Sequence, residues 1–302
     1  MKGGRKMLTA RKLLRKGYHL FYDEKCFVTV DSQTRIYNRS NLLKEDFSFK
    51  TPNAYWGTFL SDDEILVKSA DGYYWFIDIV KQTSKRILPF GHKNADTALP
   101  VIEPGQNYLF DFSKDNCVSV LQQIAFDGTS RALYRLPVYG SSKLFRASEF
   151  VLVITNSRGI NEIKTKNRHE LRRIEFNIQT GKVECEECCQ TAVPHLCMDF
   201  DFAILWDGTV IRYNGELLDE KLDFSRFGLP PLANQVFYVC RLEKGIICFM
   251  YSDCVRIFDL QDPAFYKELM VPNPVSIIHY DDKLLIGTWE GVYQVLYEEV
   301  FS

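Results

Sequence analysis

An all-β fold of seven four-stranded antiparallel blades, with an N-terminal strand closing the last blade, is what this sequence predicts. Three observations carry that β-propeller prediction. An apolar run, a tight polar turn and a second apolar run recur seven times along the chain. The turns, at positions 31, 71, 115, 158, 207, 253 and 290, recur at a mean interval of about 43 residues, the length of a four-stranded propeller unit. The units consume nearly all of the 302 residues, so a single domain is expected.

The paired runs come in chain order. Unit 1 has Cys26–Val30, a turn at Asp31-Ser32, and Thr34–Asn38. Unit 2 has Ile65–Ser69, Asp71-Gly72 and Tyr74–Asp78. Unit 3 has Tyr108–Phe112, Asp115-Asn116 and Val118–Leu121. Unit 4 has Phe150–Ile154 and Leu171–Asn177, separated by a long insertion. Unit 5 has Phe202–Leu205, Asp207-Gly208 and Val210–Asn214. Unit 6 has Ile246–Met250, Asp253-Cys254 and Val255–Asp259. Unit 7 has Lys283–Gly287, Glu290-Gly291 and Val292–Leu296. Asp-Gly between such runs is a strong hairpin signal, because Gly reaches the positive φ a tight turn needs. The recurring acids Asp31, Asp71, Asp115, Asp207 and Asp253 are accordingly expected to form turns.

Weaker strands flank each hairpin, as with Tyr55–Leu60 and Ser84–Leu88 around the second. A sheet apolar on both faces cannot stand alone, and radial packing of several buries both. The expected blades are 17–50, 54–90, 98–138, 145–189, 194–226, 234–271, and 275–302 completed by 7–14, all within one domain spanning 1–302. Met7–Leu14 is expected to supply the missing outer strand of blade 7. An amphipathic helix is the rival reading of that segment, since Leu8, Leu13 and Leu14 also suit helical spacing.

Apolar residues are 46% and charged residues 25% of the chain, with 17 Gly and 11 Pro, which excludes disordered and low-complexity classes. A net charge of -2 argues against a wholly basic nucleic-acid binder. The start of the chain is nonetheless basic: Lys2, Arg5, Lys6, Arg11, Lys12, Arg15 and Lys16 precede the first acid, Asp23. A charged edge strand and a targeting patch both fit it. No apolar run is long enough for a transmembrane helix. Nine cysteines, irregularly spaced and mostly in apolar runs, suit reduced thiols and a soluble cytoplasmic protein.

Some units resemble those of the WD-repeat propeller superfamily. The residues concerned are Asp253 with Val255–Leu260, Asp71-Gly72 with Phe76–Ile79, Phe176–Gly181, and Gly91-His92 before the third blade. No unit ends its third strand in Trp-Asp, and the one such pair, Trp206-Asp207, sits in a turn. The resemblance implies a propeller whose role is protein interaction.

The candidate sites follow from this frame. The fourth hairpin carries Arg158, Lys164, Lys166, Arg168 and His169, followed by Arg172 and Arg173, a basic finger suited to an acidic protein or a phosphate backbone. A solvated, extended hairpin is its plain reading. Trp206 and Trp289 stand in hairpin turns expected on the finger's face, either as interface anchors or packed on neighbouring blades. Cys185, Cys188, Cys189, His195 and Cys197 are the one cluster of metal-type ligands, but strand alternation points Cys188 away from Cys185 and Cys189. His19, His195 and His279 fall in innermost strands, where a His-lined channel could hold a catalytic metal. No nucleophile elbow, P-loop or dinucleotide fingerprint is present. The expectation is therefore a non-enzymatic scaffold with no cofactor and a protein partner, acidic if it meets the finger. A metal-dependent hydrolase or lyase at the three histidines is the alternative, and nucleic-acid binding by the finger a third.

Overall fold

Runs such as Ile246–Met250 are apolar without alternation, so a sheet built around them must be covered on both faces. A computed structural model meets that demand with seven separate β-sheets, the blades of a β-propeller. It describes residues 8–87, 99–103, 105–115, 118–136, 141–160, 168–218, 236, 238–243, 245–262 and 264–302. The chain divides into two compact units: residues 1–68, 75–84 and 232–302, and residues 69–74 and 85–231.

The first unit holds blade 1 (His19–Tyr22, Cys26–Val30, Gln33–Asn38, Glu45–Lys50) and most of blade 2 (Ala54–Ser61, Glu64–Ser69, Tyr74–Asp78, Thr83–Ile87). It also holds blade 6 (Tyr238–Glu243, Ile246–Met250, Cys254–Asp259, Tyr266–Met270) and blade 7 (Pro274–Tyr280, Lys283–Thr288, Gly291–Leu296). The second holds blade 3 (Val101–Ile102, Tyr108–Asp115, Val118–Ala125, Ser130–Arg135) and blade 4 (Ser141–Arg146, Val151–Ile160, Arg168–Asn177, Lys182–Thr191). Blade 5 has His195–Met198, Phe202–Leu205 and Val210–Arg212, with an isolated bridge from Ile211 to Leu217. Its expected outer strand and the Gly91-His92 pair lie outside the described residues.

Burial follows position within each blade. The second strands Phe202–Leu205 and Ile246–Met250 are buried at every residue, whereas the outer strand Thr83–Ile87 buries only Ile87. In the first unit, one core joins Ile246, Met250, Val255 and Leu269 of blade 6 to Ile277, Leu284 and Ile286 of blade 7. Another joins Tyr280, Leu285 and Val292 of blade 7 to Leu20, Phe27 and Tyr37 of blade 1. In the second unit, Phe110 and Phe112 of blade 3 pack with Leu152, Ile154 and Phe176 of blade 4.

The N-terminal strand closes blade 7, but the segment is shared between two blades. Arg11–Leu14 pairs antiparallel with Gly291–Leu296, Arg11 facing Gln294 and Leu14 facing Val292. Leu8–Thr9 instead runs parallel to Tyr266–Met270, the outer strand of blade 6. Ala10 marks the change: it is buried, and its N–H donates to the Met270 carbonyl at 3.2 Å. Leu8 gains core contact from the switch, since it packs against the blade 6–blade 7 core. After blade 7 comes a short helix, Tyr297–Phe301, which buries Val300 in that same core.

At its described residues, the insertion of blade 4 is a continued ladder. Pairing runs from Val151↔Asn177 through Asn156↔Arg172 to Ile160↔Arg168, so the two strands are ten residues each. Asp115 is likewise inside its ladder, opposite Val118.

Candidate functional site

The hairpin between Lys283–Thr288 and Gly291–Leu296 turns through Trp289 and Glu290. The Thr288 hydroxyl oxygen accepts from the N–H groups of Glu290 (2.9 Å) and Gly291 (3.0 Å), closing the turn. Gly291 has φ +142°, and a Cβ there would overlap the Leu14 carbonyl oxygen, so a larger residue would push the N-terminal strand away. The Trp289 N–H donates to the Asn273 carbonyl at 3.3 Å. The backbone is thus fixed while the indole is 63% exposed.

Tyr18 stands beside it, ring centroids 5.0 Å apart and tilted 38°. Its N–H donates to the Val30 carbonyl and its hydroxyl to that of Ala54. Burial and the nearby negative charge of Asp31 push the Tyr18 hydroxyl up to about 12, so it remains a neutral donor. A cleft of about 350 Å³ opens here, lined by Lys16, Tyr18, Asp31, Asn53 and Trp289 among others. Asp31 does more than form a turn. It accepts from the Gln33 N–H (2.8 Å) and pairs with buried Arg35 at 2.7 Å. Asn53 holds a left-handed φ of +57°. Sequence reasoning found Trp289 through its turn and Lys16 only as part of the basic N-terminal stretch, and it missed Tyr18 and Asn53. The Pro52-Asn53 pair was a local turn signal for the last of these.

Trp206 is a different case. Its N–H is bound to the Pro194 carbonyl at 3.0 Å, and its side chain is half-buried beside a turn that Asp207 and Gly208 form.

At the base of the finger, the described cations are already partnered. Arg172 pairs with Glu170 at 2.7 Å and with Glu186. Arg173 pairs with Glu175 (2.7 Å) and Glu187 (3.6 Å), and its Nε donates to the Phe200 carbonyl. Glu186 and Glu187 come from the adjacent strand, whose acids a count along the finger leaves out. His169 lies opposite Gly159 in the ladder. Lys164 and Lys166 lie outside the described residues, as do the side chains of Arg158 and Arg168.

The three histidines each have other partners. His19 Nε2 lies 3.1 Å from the Gly57 carbonyl oxygen, and burial lowers its pKa to about 4 despite that bond. His195 Nε2 lies 3.2 Å from the Ser157 hydroxyl, and its pKa falls to about 4 through burial and the positive charges of Lys143 and His169. His279 Nδ1 lies 2.8 Å from Glu243 Oε1, with its ring stacked 4.1 Å from Tyr297. Among the described residues, no group of three or more His, Cys, Asp or Glu side chains is placed to hold a metal, so the axial-metal reading has no support there. In the cysteine cluster, Cys189 turns inward onto Leu171 and Met198, while Cys185 and Cys188 are exposed. Partial desolvation, joined at Cys188 by the negative charge of Glu170, raises the Cys188 and Cys189 thiols above their ordinary value. Cys197 accepts a contact from Lys143 Nζ at 3.6 Å. None of the eight described cysteines is in a disulfide. No described helix is long and apolar enough to cross a membrane.

The comparisons with known proteins speak to architecture. The chain is similar to the computationally designed Ika8 protein, with 13% identity and a TM-score of 0.56 over 97% of this chain and 100% of that one. It is also similar to BamB from Moraxella catarrhalis, with 12% identity and a TM-score of 0.51 over 94% of this chain and 85% of that one. At such identities the likeness is one of fold. No family model and no curated protein matches the chain.

Proposed function

We propose that this propeller is a non-catalytic protein-interaction module that receives a partner segment at the Trp289 turn. The observation that carries the proposal is an indole 63% exposed on a turn whose backbone is fixed by Thr288, Asn273 and Gly291. Covering an exposed aromatic on a turn whose backbone is already fixed orders only its side chain, which suits such residues as interface anchors. The adjacent cleft, with the Tyr18 ring as one wall, offers a place for an apolar side chain of the partner. The eight described cysteines, none of them in a disulfide, support a reducing compartment such as the cytoplasm for this encounter.

The test is quantitative affinity capture from native cell extract, with wild-type protein and Trp289→Ala side by side. The expected outcome is a stoichiometric protein that Trp289→Ala loses while its circular dichroism and melting curve stay unchanged. A partner retained in full by Trp289→Ala would place the interaction elsewhere.

A further inference from the structure

The strand that closes blade 7 ends at Leu14, and the chain then crosses to blade 1 through Arg15, Lys16 and Gly17. Arg11, Lys12, Arg15 and Lys16 are all exposed, and none has a carboxylate partner among the described residues. Charge at Arg11 and Lys12 has a structural use, because they sit on an edge strand that must not recruit another chain. Arg15 and Lys16 lie beyond the end of the strand, where no ladder is at stake. They border two adjoining hollows. Lys16 lines the Trp289 cleft, and it also lines, with Arg15, a second cleft of about 500 Å³ that includes Leu13, Tyr37 and Leu43. Leu43 is 75% exposed. The other cation lining the second cleft, Arg35, pairs with Asp31 at 2.7 Å and with Glu45 of the same cleft at 3.6 Å, and that trio carries -1 against the +2 of Arg15 and Lys16, so the path stays net positive. What remains is a path with an exposed aromatic at one end, an exposed aliphatic at the other, and two unpaired cations between them.

Resting on the proposed protein-interaction role, we infer that this path binds an acidic protein segment whose apolar residues flank its carboxylates. Charge complementarity selects the acidic residues, and Trp289 and Leu43 select apolar side chains at the two ends. A nucleic acid would satisfy the cations and stack on Trp289, but it offers Leu43 nothing apolar to cover.

The test pans a displayed library of short random peptides against the native protein, and measures recovered peptides by fluorescence anisotropy. The variants are Arg15→Glu/Lys16→Glu and Trp289→Ala, each checked for an unchanged melting curve. Enriched peptides are expected to pair acidic with apolar residues, to bind about tenfold more weakly to the charge-reversed double variant, and to weaken as salt rises through the screening range. Peptides without acidic enrichment that depend on Trp289 but ignore the double variant would overturn the acidic inference and leave the interaction role standing. An absence of peptides sensitive to either variant would overturn both. Vesicles of phosphatidylcholine with phosphatidylserine, and oligodeoxythymidine, serve as competing probes. Tighter binding of either, dependent on Arg15 and Lys16, would also overturn the inference.

Discussion

Replacing Gly287 by Ala should loosen the contact on which the blade 7–blade 1 seam closes. Gly287 lies in the second strand of blade 7, opposite Ser276 and Val292. A Cβ there would overlap the Tyr18 carbonyl oxygen and stand 2.7 Å from the Tyr18 carbonyl carbon. Both are backbone atoms of the crossing into blade 1, held by the bonds Tyr18 N–H to Val30 and Ser276 hydroxyl to Tyr18. Overpacking a closed core costs about 1–3 kcal/mol, and immobile neighbours put this site at the upper end. Losing glycine's freedom in the unfolded chain returns about 0.4–1 kcal/mol, which leaves a net loss of about 2 kcal/mol. For a chain of this size that is a fall in Tm of about 3 °C. Gly57→Ala is the control, since the nearest atom its Cβ would meet, at 2.8 Å, belongs to the Phe21 ring, which can tilt. Melts and urea midpoints should rank Gly287→Ala below Gly57→Ala, and both below wild type. Because the same carbonyl belongs to Tyr18, the wall of the cleft, Gly287→Ala should also weaken partner capture. Equal stabilities for the two variants would refute the claim that backbone crowding at the seam decides the cost.

Two further outcomes follow from buried charge. Arg35→Met strands Asp31 without its 2.7 Å partner and should cost about 3 kcal/mol, part of which the double variant with Asp31→Asn recovers; urea midpoints report both. His19 and His195 are neutral in the fold, with pKa values near 4, and return to about 6.5 when unfolded. The unfolded state therefore binds more protons below pH 6.5, so stability falls from pH 6.5 towards 4 and levels off below. The ceiling is about 3 kcal/mol per ring, and His195→Asn should flatten its share of the melting profile against pH.

The hairpins were legible because their signal is local. Asp-Gly turns such as Asp207-Gly208, and runs such as Ile246–Met250, state strand, turn and double-sided burial within a dozen residues. What was not legible depends on partners distant in sequence. Leu8–Thr9 and Arg11–Leu14 form one apolar-basic stretch, and only the neighbouring cores show that Leu8 belongs with Leu269 and Leu14 with Val292. Tyr297–Phe301, at five residues, is too short to show a helical period. The basic finger was counted along its own hairpin, whereas Glu186 and Glu187 reach Arg172 and Arg173 from the next strand. Trp289 could be marked as an exposed turn aromatic, but its neighbours Tyr18 and Asn53 lie some 270 and 236 positions away, too far for any local pattern to join them.

The candidate site and the closure of the last blade share a physical origin. The chain must pass from the outer strand of blade 7 to the first strand of blade 1 between Leu14 and His19. Gly17 makes the passage with φ +124°, packed so tightly that a Cβ would stand 2.6 Å from the Thr29 Cβ. A crossing this short has no length in which to bury its own cations, so Arg15 and Lys16 stay in water. The same crossing presses the Tyr18 backbone against Gly287 and sets its ring beside Trp289. The geometry that joins two blades thus also places unpaired charge next to an exposed indole on a fixed turn. Rebuilding the crossing with a longer linker in place of Arg15–Gly17 should therefore loosen the seam and the site together.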